Sequence, residues 1–256
     1  MAFERTIGDF RFPGWDYWFY FRGLWRERGA KAIYKQFQKH LRRPWSRAVV
    51  RRYSAPPRGI GLEIGVGART IAPVTRTILA DGYELHGRDR SIAQVYFPAA
   101  AIPFADATFE FVLSEHTLEH IGNALRALRE WVRVLKPGGH LILFLPHHDR
   151  TNDHLRPRTP LSHLIQDFEN NVPDDDVTHV EEWIANVTKA GGVPEHYRHI
   201  RKEELASTGS IHHHTWTGAD MTEVFEYLKM QVVFCEEYVP DRTDSFVVVG
   251  RKALKV

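Results

Sequence analysis

Leu62-Glu63-Ile64-Gly65-Val66-Gly67 is the stretch on which the fold turns. Residues 60–64 make a short apolar run, the length of a buried strand, that ends in two closely spaced glycines. Glycines there allow a sharp turn and let a ligand approach the main chain. Downstream, Ile71, Val74 and Ile78 fall on one helical face, with Pro73 in the first turn and Gly82 as the stop, which predicts a helix over 70–80. A helix at that point would turn its free N–H groups toward the ligand. Residues 83–87 read as the second strand, closed by Arg88-Asp89-Arg90-Ser91, so that Asp89 stands 22 residues after Gly67.

Further along, 109–114 reads as a strand. Asn123 can cap a helix reaching 135, with Leu125, Leu128, Val132 and Leu135 at helical spacing. Lys136-Pro137-Gly138-Gly139 breaks the chain before a buried strand at 141–145. Alternation of this kind predicts a parallel sheet covered on both faces. Residues 146–211 interrupt it with an amphipathic helix on Val180, Trp183, Ile184 and Val187. A helix near 218–229 and a hairpin of strands 232–237 and 245–250 close the chain. The expected architecture is α/β: a Rossmann-like, mostly parallel sheet of seven strands, the last antiparallel. An N-terminal cap (1–58) precedes the main domain (59–256), and a lid-like helical insertion (146–211) follows the fifth strand. Residues 89–104 are too few for a full helix and strand, so the third strand is expected as a stunted edge.

Composition sets outer limits. Hydrophobic residues at 43% supply enough apolar surface to exclude a disordered chain. No apolar run approaches the ~20 residues of a membrane span, and the first residues show no secretory h-region. The single cysteine, Cys235, excludes an internal disulfide framework and fits a reducing compartment, so a cytoplasmic protein is expected. Charge is uneven: residues 1–58 hold 14 Lys/Arg against 4 Asp/Glu, and the remainder 20 against 28. The basic segment interleaves aromatics, Trp15 to Trp25, which suit a cap on the main domain. Its charge offers a face to a polyanion or an anionic membrane surface.

The residues around the glycine loop restrict the ligand. Asp89 suits a ribose diol, whose two hydroxyl protons a carboxylate can accept. A dinucleotide site would need a third glycine where Thr70 stands. Glu63, two residues before Gly65, would repel a pyrophosphate but can serve an ammonium group. A ligand with ribose at one end and an amino acid at the other meets these demands, and S-adenosylmethionine is one.

Four stretches then resemble the class I S-adenosylmethionine-dependent methyltransferases, in the branch with a Leu-Glu-His motif. They are Leu62 to Gly67, Ile102-Pro103-Phe104-Ala105-Asp106-Ala107-Thr108-Phe109, Val112-Leu113-Ser114-Glu115-His116-Thr117-Leu118-Glu119-His120, and Arg133 to Leu141. The resemblance covers roughly residues 60–146. It implies cofactor roles for Glu63, Gly65, Gly67, Asp89, Ser114 and Glu115. Arg69 stands where many members have a third glycine. The acid that often accepts from adenine is missing from Phe97-Pro98-Ala99-Ala100-Ala101, which leaves backbone or apolar recognition near Ala100 or Ile102.

Strand ends deliver the acceptor side. Topology brings His116, His147, His148 and His212 to His214 toward one edge. A hydroxyl acceptor must lose its proton during methyl transfer, and a neutral histidine suits that task. His147 or His148, with His214 behind them, are the expected catalytic residues. The run His147, His148, Asp149, Asp153 and His154 matches no tight zinc spacing, so no metal is expected. The whole-chain plan is similar to methyltransferases of surface-polysaccharide pathways, which implies O-methylation of a small-molecule or glycan-linked hydroxyl. Two alternatives stand beside it: a catalytically silent cofactor-binding scaffold, and an RNA-directed enzyme using the basic N-terminal face. No Asn-Pro-Pro-Tyr-type element follows the 109–114 strand, which counts against amino methylation of bases and makes nucleic acid the weaker alternative.

Overall fold

The computed structural model describes residues 43–54, 59–86, 89–174, 176–190, 200–207 and 211–254, with His86, Asp89, Ala206 and Ser207 described at the backbone only. Apart from 43–54, the N-terminal cap expected over 1–58 lies outside the described residues.

Among the described residues the strands are β1 (Gly61–Ile64), β2 (Thr77–Asp81), β3 (Leu85–His86), β4 (Asp89–Arg90), β5 (Val95–Tyr96), β6 (Phe109–Glu115), β7 (Leu135–Pro146), β8 (Met230–Glu236) and β9 (Ser245–Lys252). Seven form one sheet in the order β5-β2-β1-β6-β7-β9-β8, and β3 with β4 makes a separate ribbon. β9 is antiparallel to both its neighbours, and the strands from β5 to β7 are parallel. The expected sheet is therefore present, with its last strand reversed, a two-residue edge strand in β5, and the helical insertion after β7, the fifth strand of that sheet.

The helices are α1 (Pro44–Tyr53), α2 (Ala124–Val134), α3 (Leu161–Glu169), α4 (Thr178–Lys189), α5 (Lys202–Ser207) and α6 (Gly218–Tyr227). Side-chain alternation on the strands assigns them to layers. On β7, Leu141, Leu143 and Leu145 join the core formed with Leu125, Leu128 and Trp131 of α2 and Met221, Val224 and Phe225 of α6. Ile142 and Phe144 face the other way, toward Val49, Val50 and Tyr53 of α1. Each such fully buried side chain contributes roughly 1.5–3 kcal/mol. Asn123 caps α2 by accepting from Arg126 N–H at 3.1 Å, as its sequence position predicts. Within the insertion, Val180, Trp183 and Val187 of α4 pack with Leu205 and Ile211 into a small core of their own.

Two expectations fail between β1 and the ribbon. No helix occupies 70–80; a loop leads directly into β2. The apolar residues that suggest a helical face divide between the two faces of the sheet: Ile71 packs with α1, and Ile78 packs in the opposite core. No single helix could present both. Thr77 to Asp81 is buried throughout, as befits a central parallel strand. The second strand of the sheet is thus β2, and the expected strand at 83–87 is replaced by the ribbon. Tyr83 and Leu85 there are exposed.

Candidate functional site

The carboxyl ends of β1, β2, β6 and β7 share one edge of the sheet, and the turn between β8 and β9 returns to it. Gly65 and Gly67 turn the chain there with φ of +74° and +54°. A Cβ on Gly65 would come within 1.9 Å of Thr117 Oγ1. Over Gly67 there is open space: a Cβ there would meet nothing within 4 Å. The loop is tied to β2 through Gly65 and Val66 N–H, which donate to Ala80 O at 2.9 and 3.2 Å. Gly67 N–H donates to Asp81 Oδ2 at 2.9 Å.

Asp81, not Asp89, is the acid at the end of the second strand. Asp89 lies on the ribbon outside the main sheet, because Leu85–His86, within the strand expected before it, pairs with β4 and not with the sheet. Asp81 is buried and also accepts from the N–H groups of Gly82 and Tyr83 and from Ser91 Oγ. Glu63 is likewise buried and pairs with the Thr70 hydroxyl, whose oxygen accepts from Ala72 N–H. Burial pushes the Glu63 carboxyl up to about 8, opposed by the Thr70 hydrogen bond. Glu63 therefore fastens the residues that stand in place of a helix.

Ser114 is fully buried and donates to Ile64 O at 3.0 Å, joining β1 to β6. Ile102 sits in the core, and its backbone is engaged: N–H to Glu130 Oε2 at 3.2 Å, carbonyl to Arg133 Nη2 at 2.9 Å. Ala100 is partly buried beside it. The hydroxyl proton of Ser114 and the N–H of Ile102 are thus already committed.

Glu115, at the end of β6, is clasped by two guanidinium groups. Arg43 Nη1 and Arg242 Nη1 both donate to its Oε1 at 2.5 Å. Burial works against its charge, but Arg242 and Arg43 outweigh it and hold the carboxyl below its ordinary value. Arg43 also reaches Asp241, which accepts from the N–H and hydroxyl of Ser46 at the start of α1. The start of α1, the end of β6 and the β8–β9 turn are thereby joined.

The opposite half of the edge is rich in histidine. His116 follows Glu115 with φ of +50°, a conformation uncommon for a side-chain-bearing residue. Ser245 Oγ donates to Asp244, so it accepts from His116 Nε2–H at 2.7 Å. His116 Nδ1 then faces Glu119 Oε1 at 3.6 Å. Glu119 is fully buried, and neither of its oxygens has a hydrogen-bond partner. Burial, opposed by His212, pushes its carboxyl up to about 7. His212 pairs with Asp153 at 2.6 Å, and Asp153 is also held by Arg156 at 2.8 Å.

The three histidines expected to be catalytic separate. His147 lies at the end of β7, where Nδ1 accepts from Asp149 N–H at 3.1 Å and Nε2 is 3.2 Å from Glu237 Oε2. Glu237 is positioned by the first N–H groups of α6, Gly218 at 2.9 Å and Ala219 at 3.2 Å. His148 has both ring nitrogens engaged, Nδ1 by Asp149 and Nε2 by the carbonyl of Arg156. His214 is fully buried among His163, His179 and Trp216, and Nε2 lies 3.2 Å from Gly122 O. It does not join His147 at the strand ends.

Asp81, Glu119 and the Arg43–Arg242 pair are what sequence reasoning misses. The run Thr77-Ile78-Leu79-Ala80 is the signal that could have placed Asp81, since it reads equally well as a buried strand. Glu119 lies inside the Leu118-Glu119-His120 motif. For Arg43 there is no local signal, because the carboxylates it binds are 72 and 198 residues away.

Residues 63–143 match the family model described as a methyltransferase domain. Among curated proteins, a demethylmenaquinone methyltransferase of Corynebacterium kroppenstedtii is 30% identical over 105 residues, 38% of this chain and 46% of that protein. A malonyl-[acyl-carrier protein] O-methyltransferase of Erwinia pyrifoliae is 37% identical over 71 residues, 27% of each. The chain thus spans less than half the length of these curated relatives. Among solved structures, a chain from the complex of the Haloferax volcanii Trm112 methyltransferase activator with a methyltransferase superposes with a TM-score of 0.52. It is 12% identical, with 96% of this chain and 99% of that one covered, a likeness of fold. The sheet order, the glycine loop at the end of β1 and the matched segment agree: over residues 63–143 this chain is similar to the methyltransferase domain, and its fold is that of a methyltransferase.

Proposed function

We propose that the protein transfers a methyl group from S-adenosylmethionine to a hydroxyl of a small-molecule or glycan-linked acceptor, with His147 as general base. The observation that carries the reading is the loop at Gly65 and Gly67, which leaves open backbone beside the carboxylate of Asp81. Those residues suit the cofactor: an approach to the main chain at Gly67 and an acid one hydrogen bond away. The cofactor supplies an activated methyl on its sulfonium. As the acceptor oxygen bonds to the methyl carbon, the carbon–sulfur bond breaks, S-adenosylhomocysteine leaves, and the hydroxyl proton passes to the protein.

His147 suits the last task. Burial, aided by Arg150 and opposed by Glu237, holds its imidazole below the ordinary value, so it is neutral near pH 7. Glu237 holds the Nε2 proton and leaves the lone pair on Nδ1, where an acceptor hydroxyl takes the place of the Asp149 N–H. The Glu237 carboxylate then stabilises the imidazolium that forms. His148 has no ring nitrogen free, and His214 is sealed in another cluster. The Erwinia relative's description as an O-methyltransferase supports an oxygen acceptor. A glycan-linked acceptor and a polyanion or anionic membrane surface at the basic N-terminal segment belong to the same proposal.

Calorimetry with S-adenosylmethionine, followed by mass spectrometry of hydroxylated acceptors exposed to labelled cofactor, tests it. Binding with label on an acceptor oxygen is expected. His147→Ala should lower kcat by about 100-fold or more with cofactor affinity kept. Wild-type turnover should hold through neutral pH and past the ordinary histidine value of ~6.5, falling only at the lower pH where His147 takes up a proton. Cofactor binding without turnover on any acceptor supports the silent scaffold instead, and unchanged kcat in His147→Ala removes the base assignment.

A further inference from the structure

Away from the strand ends, three histidines and an aspartate from three elements converge. His163 and Asp167 stand one turn apart on α3, His179 lies in the first turn of α4, and His214 belongs to the segment before α6. One donor atom from each lies within 4.8 Å of all the others. His163 Nε2 is 3.2 Å from Asp167 Oδ2 and 3.3 Å from His179 Nε2. His214 Nε2 is 3.8 Å from the same Asp167 oxygen.

Hydrogen bonding does not satisfy this group. His163 Nε2 carries at most one proton yet faces both a carboxylate oxygen and a second ring nitrogen. Asp167 is 7% exposed, and its Oδ2 is buried without a hydrogen-bond partner. His214 is fully buried with Nδ1 unpartnered, and its Nε2 lies 3.2 Å from Gly122 O, a contact given up when Nε2 binds a cation. A shared cation answers all four atoms at once. Ligands about 2.0–2.1 Å from zinc in a tetrahedron lie roughly 3.3 Å apart; the separations of 3.2, 3.3 and 3.8 Å approach that spacing, and the remaining pairs lie within 4.8 Å.

We propose that His163, Asp167, His179 and His214 bind one divalent transition-metal ion, zinc by preference, in a closed site that pins the insertion to the sheet domain. Imidazole nitrogens select zinc over the hard cations that prefer oxygen. Four protein ligands leave no open position, so the ion is structural. It joins α3 and α4 to the chain that returns to α6, and the proposal is independent of the methyl-transfer reading. A second group, Glu119, His120 and His212, offers three donors and not four, and it supplies the control.

The test uses zinc alone and the full chain. Protein stripped with a chelator is dialysed against zinc, and bound metal is counted by plasma mass spectrometry. Wild type and His120→Ala should each hold about one zinc per chain, and Asp167→Asn and His179→Ala roughly a tenth of that or less. Cobalt(II) in wild type should show the intense visible bands of tetrahedral coordination. Zinc should raise the Tm of wild type and protect the α3–α4 region from protease, because it binds the folded state. These wild-type readouts hold even where a variant fails to fold. Wild type that retains no zinc and gains no Tm, full occupancy in Asp167→Asn and His179→Ala, or loss of the ion in His120→Ala alone would overturn the proposal.

Discussion

The two halves of the functional edge treat their polar groups in opposite ways. On the β1–β2 side every partner is close at hand: the carboxylate of Asp81 takes hydrogen bonds from three backbone N–H groups and one hydroxyl. On the side of β6, β7 and the insertion, buried polar atoms are left over. Among the described residues, all such orphaned side-chain atoms fall between residues 119 and 216, including both oxygens of Glu119, Oδ2 of Asp167 and both ring nitrogens of His213. A buried polar atom without a partner costs about 1–3 kcal/mol. The first half is finished by its own backbone, and the second keeps capacity for a proton or an ion.

The largest effect is expected where the finished half has no slack. Gly65→Ala places a methyl group against Thr117 and forces a side-chain-bearing residue to φ of +74°. A loss of roughly 4 kcal/mol in denaturant unfolding is expected. Gly67→Ala meets open space, so it should cost only about 1 kcal/mol for its positive φ, while weakening cofactor binding in calorimetry. Equal destabilisation by the two changes would break the contrast.

Glu115→Gln tests the seam between the halves. Removing one charge from a buried cluster that contains Arg43 and Arg242 should cost about 3 kcal/mol at neutral pH. The Glu115 carboxyl is held low, so its contribution is complete above pH ~4.5 and disappears as the medium is acidified through its folded value. The difference in stability between wild type and variant should therefore shrink at low pH.

Glu119→Gln sharpens the unsatisfied half and carries the opposite sign. With the folded carboxyl raised to about 7 from 4.5, the stability of wild type declines as pH rises from 4.5 toward 7. The variant should lack that decline and gain on the order of 2–3 kcal/mol over wild type above pH 7. Glu63 titrates similarly in both proteins, so the difference between them isolates Glu119. A difference that does not vary with pH would show that Glu119 keeps its ordinary acidity.

The sheet is legible because its strands are continuous apolar runs, although Lys136-Pro137-Gly138-Gly139, expected as a break before a strand at 141–145, lies inside β7 beside a register shift against β6. Residues 70–81 mislead because a 3.6-residue period and a loop followed by a buried strand place apolar residues at the same positions. Only the packing, with Ile71 on one face of the sheet and Ile78 on the other, separates them. At the site, the glycine loop can be read locally. The partners of Glu115 and Asp167 cannot, since they come from α1, the β8–β9 turn and the insertion, which meet only in three dimensions.

The loop that replaces the helix after β1 has an electrostatic consequence. In a strand–loop–helix arrangement a macrodipole would hold partial positive charge at the glycine turn, fixed in the backbone. Here that source is missing, and the guanidinium groups of Arg43, Arg69 and Arg242 all act on Glu115 instead. Attraction of an anionic group to this end of the edge thus depends on side chains shared with a carboxylate, whose pull ionic strength can tune wherever solvent reaches them.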